Sequence, residues 1–460
     1  MRTAHETSQE TDLFREELTQ IINHRHPLFI LAEQIDWDKA SAIVEKWFDD
    51  CYGRPAKSGR LITGLFLLKQ LKNVSDEDLP ELWVENAYWQ HFCGEKYFQH
   101  EFPIHPTSMS KWRKKMTAED AQALLQLTIE TAVKTQAVKR SEFNRVNIDT
   151  TVQEKAVAYP TDSRLMVKAI SKLGKLAKDN ELPIKQSYKF VAKKQLFKGA
   201  NYRRAQQMKR AKKSEAKIKT YLGRLVRDIE RKLESHGDLK PAFQSLLERA
   251  NRLLRQTRTS KNKLYSLHAP EVECIAKGKV AKRYEFGVKV SVVATQESNI
   301  ILGAQALPGT PYDGHTLKPA LDQVEEITGI RPKHTFADNG YKGHDEERSE
   351  VHVARKKRTY ATRYLKRLMK KRNAIEALFS HAKRDGQLGR NYLKGSHGDQ
   401  LNALLSAVGH NLRLILIAIA LFWRYFLLVF WVKNLMVGLK NITRQISWSA
   451  FVSENLIFQV

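Results

Sequence analysis

Two aspartates in the sequence follow short apolar stretches that alternate as β-strands do. Asp149 follows VNI within RVNIDTT, and Asp338 follows HTFA and opens an Asn-Gly turn. A carboxylate at the end of a buried strand lies at the rim of its sheet, where it can bind a hard cation. If the two strands are neighbours, both aspartates face one metal site. Each aspartate alone is just as typical of a turn or a cap.

A third group of candidates lies in the segment KKRNAIEALFSHAKRDG, residues 370–386. If this segment is one helix, Arg372, Glu376 and Lys383 project from a single face at about 100° per residue. Glu376 would then complete a cage of three carboxylates, and the two basic residues would flank it and bind phosphates. A surface pair between Arg372 and Glu376, one helical turn apart, is the alternative.

These residue types suit the cleavage of a phosphodiester. That reaction needs an activated nucleophile and a stabilised leaving oxygen, and two divalent ions about 3.5–4 Å apart can serve both. An all-oxygen ligand set favours Mg²⁺ or Mn²⁺ over zinc. Asp149, Asp338 and Glu376 are therefore the candidate metal ligands. Together with Arg372 and Lys383 they are the candidate catalytic residues.

Five predicted strands would position these residues. Alternation and β-branched residues predict strands at Arg145–Thr151, Tyr284–Thr295, Ile300–Leu307, His334–Ala337 and Glu350–Ala354. A helix is predicted at Leu317–Thr328, and a long helix is predicted after the fifth strand. This order indicates an α/β domain with a mixed sheet, formed by residues 141–163 and 284–424.

Residues 164–283 interrupt this domain after its first strand. They contain 33 Lys and Arg against 10 Asp and Glu, so most of the net charge of the chain lies here. Strong helix formers predict a basic all-α insertion. Its packed face would carry the apolar stripe of Leu222, Leu225, Val226, Ile229 and Leu233.

Residues 1–140 are predicted to form a helical N-terminal domain that binds DNA. Within it, residues 105–116 read HPTSMSKWRKKM, with a short turn, a serine-rich start and a basic end. This pattern is compatible with the recognition helix of a helix-turn-helix and equally with a basic surface helix.

The net charge of +28 indicates a polyanionic partner. Nucleic acid is the commonest such partner, and a solvated basic surface without one is the alternative. A composition of 42% hydrophobic and 28% charged residues, with 22 Gly and 13 Pro, excludes collagen-like, low-complexity and wholly disordered chains. The three cysteines form no disulfide framework, and the N-terminus has no apolar secretory signal. A cytoplasmic location is therefore expected.

The apolar residues near the C-terminus have two interpretations. Residues 414–432 contain one charge, Arg424, and are just long enough to span a bilayer. A central arginine makes insertion costly, so a buried core helix is preferred and a membrane partner is not expected. Residues 425–460 form an apolar tail, for which core packing, membrane association and a frameshift origin all stay open.

This arrangement resembles the DDE transposases of bacterial insertion sequences, specifically the insertion-sequence-five family. The matching segments are NIDTTVQEKAVAYPTDSRL (147–165), KRYEFGVKVSVVAT (282–295), GAQALPGTPYDGHTL (303–317), FADNGYKGH (336–344), the Arg-x3-Glu-x6-Lys pattern (372–383) and GHNLRLIL (409–416). Residues 58–94 resemble the N-terminal domain of that family. The resemblance covers about residues 45–420, and its motifs are specific.

The resemblance implies a ribonuclease-H-like fold for the catalytic domain. It places the catalytic triad at Asp149, Asp338 and Glu376, with Arg372 and Lys383 as the basic residues of the signature helix. Related transposases often carry tyrosine where this chain has Met369, so no tyrosine is assigned a role. The implied cofactors are two Mg²⁺ or Mn²⁺ ions.

The implied partner is double-stranded DNA, both the terminal inverted repeats of the element and the target. The implied reaction is phosphodiester hydrolysis followed by strand transfer. A synaptic complex implies at least a homodimer, located in the cytoplasm with the nucleoid, and no small-molecule substrate is expected.

Three other functions are compatible with part of the sequence. A decayed or repurposed transposase would bind DNA without cutting it, although the chain retains all three acids. A nuclease that cuts without joining would have the same site. A structural, basic helical protein is disfavoured by the strand-rich domain that carries the acids.

Overall fold

The computed structural model describes residues 16–48, 56–257, 259–276, 283–354 and 362–424. In these residues the helices are α1 (Leu18–Ile21), α2 (Pro27–Gln34), α3 (Trp37–Glu45), α4 (Gly59–Lys72), α5 (Leu79–Val84), α6 (Ala87–Phe92), α7 (Thr107–Lys115), α8 (Ala118–Lys134), α9 (Asp162–Asp179), α10 (Lys189–Arg204), α11 (Met208–Ser235), α12 (Lys240–Arg255), α13 (Asp313–Thr328), α14 (Arg363–Lys371), α15 (Ala374–Arg384) and α16 (Gly395–Arg424). The strands are β1 (Arg145–Glu154), β2 (Glu273–Ala276), β3 (Tyr284–Thr295), β4 (Ile301–Leu307), β5 (His334–Ala337) and β6 (Glu350–Val353). The predicted apolar tail, residues 425–460, lies outside the described residues.

The N-terminal helices α1–α8 pack around α4. The hydroxyl of Ser58 caps α4 by accepting a hydrogen bond of 3.2 Å from the backbone N–H of Leu61. Ile62, Leu65 and Phe66 are each at most 1% exposed, because neighbouring helices cover α4 on all sides. The predicted helical character of this region is confirmed for its described residues.

Helix α7 contains most of the basic segment 105–116. The guanidinium of Arg113 donates two hydrogen bonds, of 3.0 and 2.6 Å, to the carboxylate of Asp76. The charge of Arg113 is therefore paired within the N-terminal helices. Lys111 and Lys114 remain exposed. Helix α7 is therefore a packed surface helix with a small basic face, and a role in DNA recognition stays a prediction.

The six strands form one mixed sheet. Strands β2 and β4 pair antiparallel with successive parts of one edge of the long strand β3. On the other edge of β3 lies β1, also antiparallel, and beyond it β5 and β6 run parallel to β1. The predicted α/β class and the mixed sheet are confirmed.

The sheet differs from the predicted one in two respects. The prediction had five strands and an entirely helical insertion, whereas the short strand β2 lies within residues 164–283 and pairs with β3. Its four residues carry no pattern of their own, and only the exposed edge of β3 makes them a strand. Strand β1 also continues past Thr151 to Glu154, because its pairing with β3 continues to Gly287.

The insertion has its own hydrophobic core. Helices α9, α10, α11 and α12 pack around buried side chains that form a cluster separate from the main core. The predicted stripe is buried, with exposed fractions of at most 4% for Leu222, Leu225, Val226, Ile229 and Leu233. The basic residues of these helices consequently lie on their outer faces.

The N-terminal bundle, the sheet and helix α16 share one continuous core. Helix α16 is apolar and long enough to cross a membrane, but 61% of its most apolar window is buried within the protein. Leu404, Val408 and Ile415 are completely buried against neighbouring elements. In the described residues, this helix packs as a core helix does.

Candidate active site

Asp149 and Asp338 stand at the same level of neighbouring strands. Strands β1 and β5 are parallel, with Arg145 opposite His334 and Asn147 opposite Phe336. Two residues further along both strands, this register places Asp149 beside Asp338. Asp149 lies inside β1 and not at its end as predicted, because β3 continues to pair with β1 after β5 has ended. The prediction that the two acids share one rim of the sheet is consistent with this register.

Arg372 contacts Asp149 directly. Its Nη1 atom lies 3.5 Å from Oδ2 of Asp149, and the two side chains are 13% and 20% exposed. Hydrogen bonds at the end of α14 hold Arg372 there: the Asn147 amide donates to the carbonyl of Lys371 at 3.5 Å, and the Gln296 amide donates to the carbonyl of Leu368 at 3.2 Å. The end of α14 is therefore fixed to strand β1.

The segment 370–386 is not one helix. Helix α14 ends at Lys371, and α15 begins at Ala374. Between them the N–H of Ile375 bonds to the carbonyl of Arg372, and the N–H of Glu376 bonds to the carbonyl of Asn373, so the turn is a tight three-residue one. The prediction that Arg372, Glu376 and Lys383 share one helix face is wrong for Arg372, since Arg372 precedes the junction.

A third aspartate joins the two predicted ones. A Cβ atom on Gly340 would lie 2.9 Å from Oδ1 of Asp338 and 3.0 Å from Oδ2 of Asp313, so these carboxylates converge over the glycine. Oδ1 of Asp313 accepts a hydrogen bond of 3.0 Å from the Thr150 hydroxyl and lies 2.6 Å from Nζ of Lys289. Asp313 begins α13 within the segment GTPYDGHTL, where an aspartate is easily taken for a helix cap.

Tyr341 lies buried among these acids. Burial raises the pKa of its hydroxyl well above the usual value, and the negative charges of Asp313, Asp149 and Asp338 raise it further. The hydroxyl is close to Ser291, yet among the described residues it makes no well-formed hydrogen bond. A neutral phenol therefore points into a cluster of three carboxylates. The sequence contains Tyr341 in the motif FADNGYKGH, but nothing in the spacing indicated its burial.

Glu376 and Lys383 lie on helix α15. Glu376 is exposed in the first turn of α15, about one turn beyond Arg372. Lys383 is partly buried in the last turn of the same helix. Among the described residues, one group of three ligating side chains has all its donor atoms within 4.8 Å of one another, and it is neither the predicted triad nor the three aspartates Asp149, Asp313 and Asp338.

The carboxylate cluster suits a hard divalent cation. Asp149, Asp313 and Asp338 offer oxygen atoms alone, and the buried phenol of Tyr341 supplies a further polar atom without a well-formed bond. Such an all-oxygen set fits Mg²⁺ or Mn²⁺ and is a poor match for softer metals. Arg372 and Lys289 supply fixed positive charge next to the cluster.

A mixed sheet with acids at one rim, set among helices, is compatible with a metal-dependent enzyme that acts on phosphodiesters. Comparison with known proteins gives the family. The model described as "Transposase domain (DUF772)" matches residues 16–115, and the model described as "Transposase DDE domain" matches residues 255–412. This chain belongs to the DDE transposases of insertion sequences, as predicted, and its assignment to the insertion-sequence-five family stays a prediction.

One relative extends this comparison without adding a known activity. It is the uncharacterized protein ORF8 in the nfe locus of Rhizobium meliloti, 42% identical over 210 residues, which are 45% of this chain and 100% of that protein. No solved structure matches the chain.

Proposed function

We propose that this protein is the transposase of an insertion sequence of the insertion-sequence-five family, cutting DNA at the element's ends and joining them to a target. The observation that carries the proposal is the cluster of Asp149, Asp313 and Asp338 around Tyr341, with Arg372 on Asp149. The strand order, with β3 antiparallel between β4 and β1 and with β5 and β6 parallel to β1, supports a ribonuclease-H-like fold.

The reaction has two steps at one site. A water molecule attacks the phosphorus at the element's end, the bond to the 3′ oxygen breaks, and that oxygen leaves as a 3′-hydroxyl. The hydroxyl then attacks a phosphorus of the target DNA and displaces a target 3′ oxygen, so no covalent enzyme intermediate is needed. Two bound Mg²⁺ or Mn²⁺ ions would activate the attacking oxygen and stabilise the leaving one.

The side chains of the cluster have separate tasks in this proposal. Asp149, Asp338 and Glu376 would hold the ions, with Asp313 as a further carboxylate beside Asp338. Arg372 orients the Asp149 carboxylate and offsets its charge, and Lys289 does the same for Asp313. Lys383 would contact a DNA phosphate. Glu376 is exposed, so bound DNA can reach it from solvent.

The basic surfaces would bind double-stranded DNA. The N-terminal helices and the outer faces of α9–α12 would contact the terminal inverted repeats, and a second copy of the chain would hold the other end. The helices of the insertion have a hydrophobic core of their own, outside the sheet that carries the acids, which supports separate binding and cutting functions. The protein would act in the cytoplasm, on the nucleoid.

A cleavage and joining assay tests the proposal. It uses the full-length protein and DNA carrying the element's own ends, with Mg²⁺ or with EDTA. We expect Mg²⁺-dependent nicking at the end followed by joining, and loss of both in Asp149→Asn by at least about 10²- to 10³-fold. DNA binding should remain. Asp345→Asn, an exposed aspartate in the same region, is the matched control.

Each of the other outcomes would indicate a different function for this protein. Specific binding of the ends without any cleavage would indicate a decayed transposase that acts as a DNA-binding protein. Nicking without joining would indicate a nuclease. A fully active Asp149→Asn variant would show that the active site lies elsewhere.

A further inference from the structure

Three ligating side chains outside the carboxylate cluster lie together on strands β5 and β6. His334 begins β5, whereas Glu350 and His352 are on β6. The strands are parallel, with His334 opposite Glu350 and Phe336 opposite His352, so the three side chains share one face of the sheet. This is the group of three found within 4.8 Å in the part of the chain that the structure describes.

The two imidazole nitrogens are spaced as ligands of one small cation are, and the carboxylate of Glu350 directs one oxygen atom towards each of them. Nδ1 of His334 lies 3.1 Å from Oε2 of Glu350 and 3.4 Å from Nε2 of His352, which in turn lies 3.6 Å from Oε1 of Glu350. A tetrahedral zinc ion with bonds of about 2.0–2.1 Å holds its ligand atoms about 3.3–3.4 Å apart. We propose that His334, Glu350 and His352 bind one Zn²⁺ ion, with water in the fourth position.

The donor set distinguishes this site from the carboxylate cluster. Two imidazole nitrogens and one carboxylate suit a borderline cation such as zinc, whereas oxygen atoms alone suit Mg²⁺ or Mn²⁺. Two imidazole nitrogens at 3.4 Å are joined either by a cation or by a proton that one ring donates to the other. A shared proton is the alternative that the experiment below separates from a metal.

The surroundings hold the ligands in place. The ring of His352 stacks on Phe336 at 4.8 Å, and its side chain is 14% exposed. Glu350 is 64% exposed and His334 is 42% exposed, so an ion can enter from solvent. His334 begins β5, whereas Asp338 follows its last residue, which separates the two sites by about 13 Å of extended chain.

A bound ion would link the edge strand β6 to its neighbour β5. Strand β6 has four residues and, within the described residues, pairs with β5 alone. Helix α14, whose end carries Arg372 to Asp149, follows β6 in the chain. Zinc bound between β5 and β6 would therefore stabilise the edge strand that precedes α14 and Arg372.

Zinc titration of the full-length protein tests the site. The protein, without a polyhistidine tag, is stripped of metal with a chelator and titrated with Zn²⁺ in a calorimeter. We expect one equivalent of tight binding and a higher temperature of unfolding with zinc. Loss of a residue that only hydrogen-bonds to a metal ligand weakens metal binding by roughly 10- to 100-fold. Glu350→Gln and His352→Ala each remove a ligand, so they should weaken zinc binding by at least that factor and abolish the thermal shift.

Two control variants locate the ion. His236→Ala removes an exposed histidine of the insertion, and Asp149→Asn alters the carboxylate cluster; both should bind zinc as the wild type does. Co²⁺ in place of zinc should give the visible absorption of a tetrahedral ion. The proposal is wrong if the wild type binds no zinc, as a shared proton would require, or if Glu350→Gln and His352→Ala retain it. Loss of binding in Asp149→Asn alone would assign the ion to the acids instead.

Discussion

Arg372 and Asp149 form an ion pair of 3.5 Å that joins the α14–α15 junction to the central strand of the sheet. The pair is mostly shielded from solvent, so its charges interact more strongly than those of a surface pair. Two hydrogen bonds position the arginine beside Asp149: the side-chain amides of Asn147 and Gln296 donate to the carbonyls of Lys371 and Leu368 in the last turn of α14.

Removal of the guanidinium should impair cleavage more than DNA binding. In Arg372→Ala, the Asp149 carboxylate loses its fixed partner, and we expect cleavage to slow by about 10- to 100-fold, corresponding to about 1.4–2.7 kcal/mol. Arg372→Lys keeps the charge but not the planar fork, so it should recover part of the rate. Single-turnover nicking and gel-shift affinity measure the two effects. Equal losses of nicking and affinity would mean that Arg372 binds DNA and does not support Asp149.

Asp313 should matter for catalysis although no spacing indicated it. Asp313→Asn removes the charge beside Asp338 and leaves Lys289 without its ion partner, so we expect cleavage to fall at least about tenfold. The same assay with rising Mg²⁺ concentration checks whether metal affinity is what falls. Glu326→Gln, an exposed acid on the same helix, is the control and should be active. Wild-type Mg²⁺ dependence in Asp313→Asn would exclude Asp313 from the metal site.

The insertion should contribute a salt-dependent part of DNA binding. Lys209, Arg210, Lys212 and Lys213 are exposed in the first turns of α11. Replacing all four by Gln should weaken binding of any DNA sequence and lower the slope of log K against log salt by up to about 3–4, because fewer counterions are released. Fluorescence anisotropy at several salt concentrations measures the slope. The unfolding temperature should stay the same, and an unchanged slope would show that this surface does not face DNA.

His410 should make the protein less stable in acid. It is buried on α16, Nε2 lies 3.2 Å from the carbonyl of Asn299, and burial lowers the pKa of its imidazole to about 4. The unfolded chain therefore takes up a proton near pH 6.5, whereas the folded chain does so only near pH 4. Stability from this residue is fully present above about pH 6.5 and decreases by about 3 kcal/mol as the pH falls to 4.

A neutral replacement isolates that effect. His410→Gln can still donate to the Asn299 carbonyl but does not titrate. Denaturant unfolding of both proteins between pH 7 and pH 4 should show a steeper loss of stability in the wild type. Parallel curves would mean that the pKa of His410 is the same in the folded and unfolded chains, so that burial does not lower it.

Much of the catalytic region could be predicted because its residues are local in sequence. The alternation around Asp149 and Asp338 is a property of neighbouring residues, and so are the length of β3 and the stripe from Leu222 to Leu233. This periodicity arises because side chains on one face of an element are buried in the core. It can be read from the sequence without knowing which other element covers that face. The charge of the insertion likewise needs only the composition.

The remaining features depend on contacts between distant segments. Strand β2 exists because β3 offers an unpaired edge, and β1 runs past Asp149 because β3 continues beside it. The helix that should have carried Arg372 and Glu376 together is interrupted where Asn147 and Gln296 bind its carbonyls. The helix propensity of residues 370–386 does not depend on Asn147, which is more than two hundred residues away, so it could not predict this break.

The same reason explains the residues that the sequence did not reveal. Asp313 is an ordinary start of a helix until β1, β3 and the turn after β5 bring Thr150, Lys289 and Gly340 to it. His334, Glu350 and His352 are scattered along the chain until two parallel strands align them. Local pattern thus determined most of the strands and helices. The register between strands and the docking of helices determined which side chains share a site, because both depend on packing energies that act only between segments.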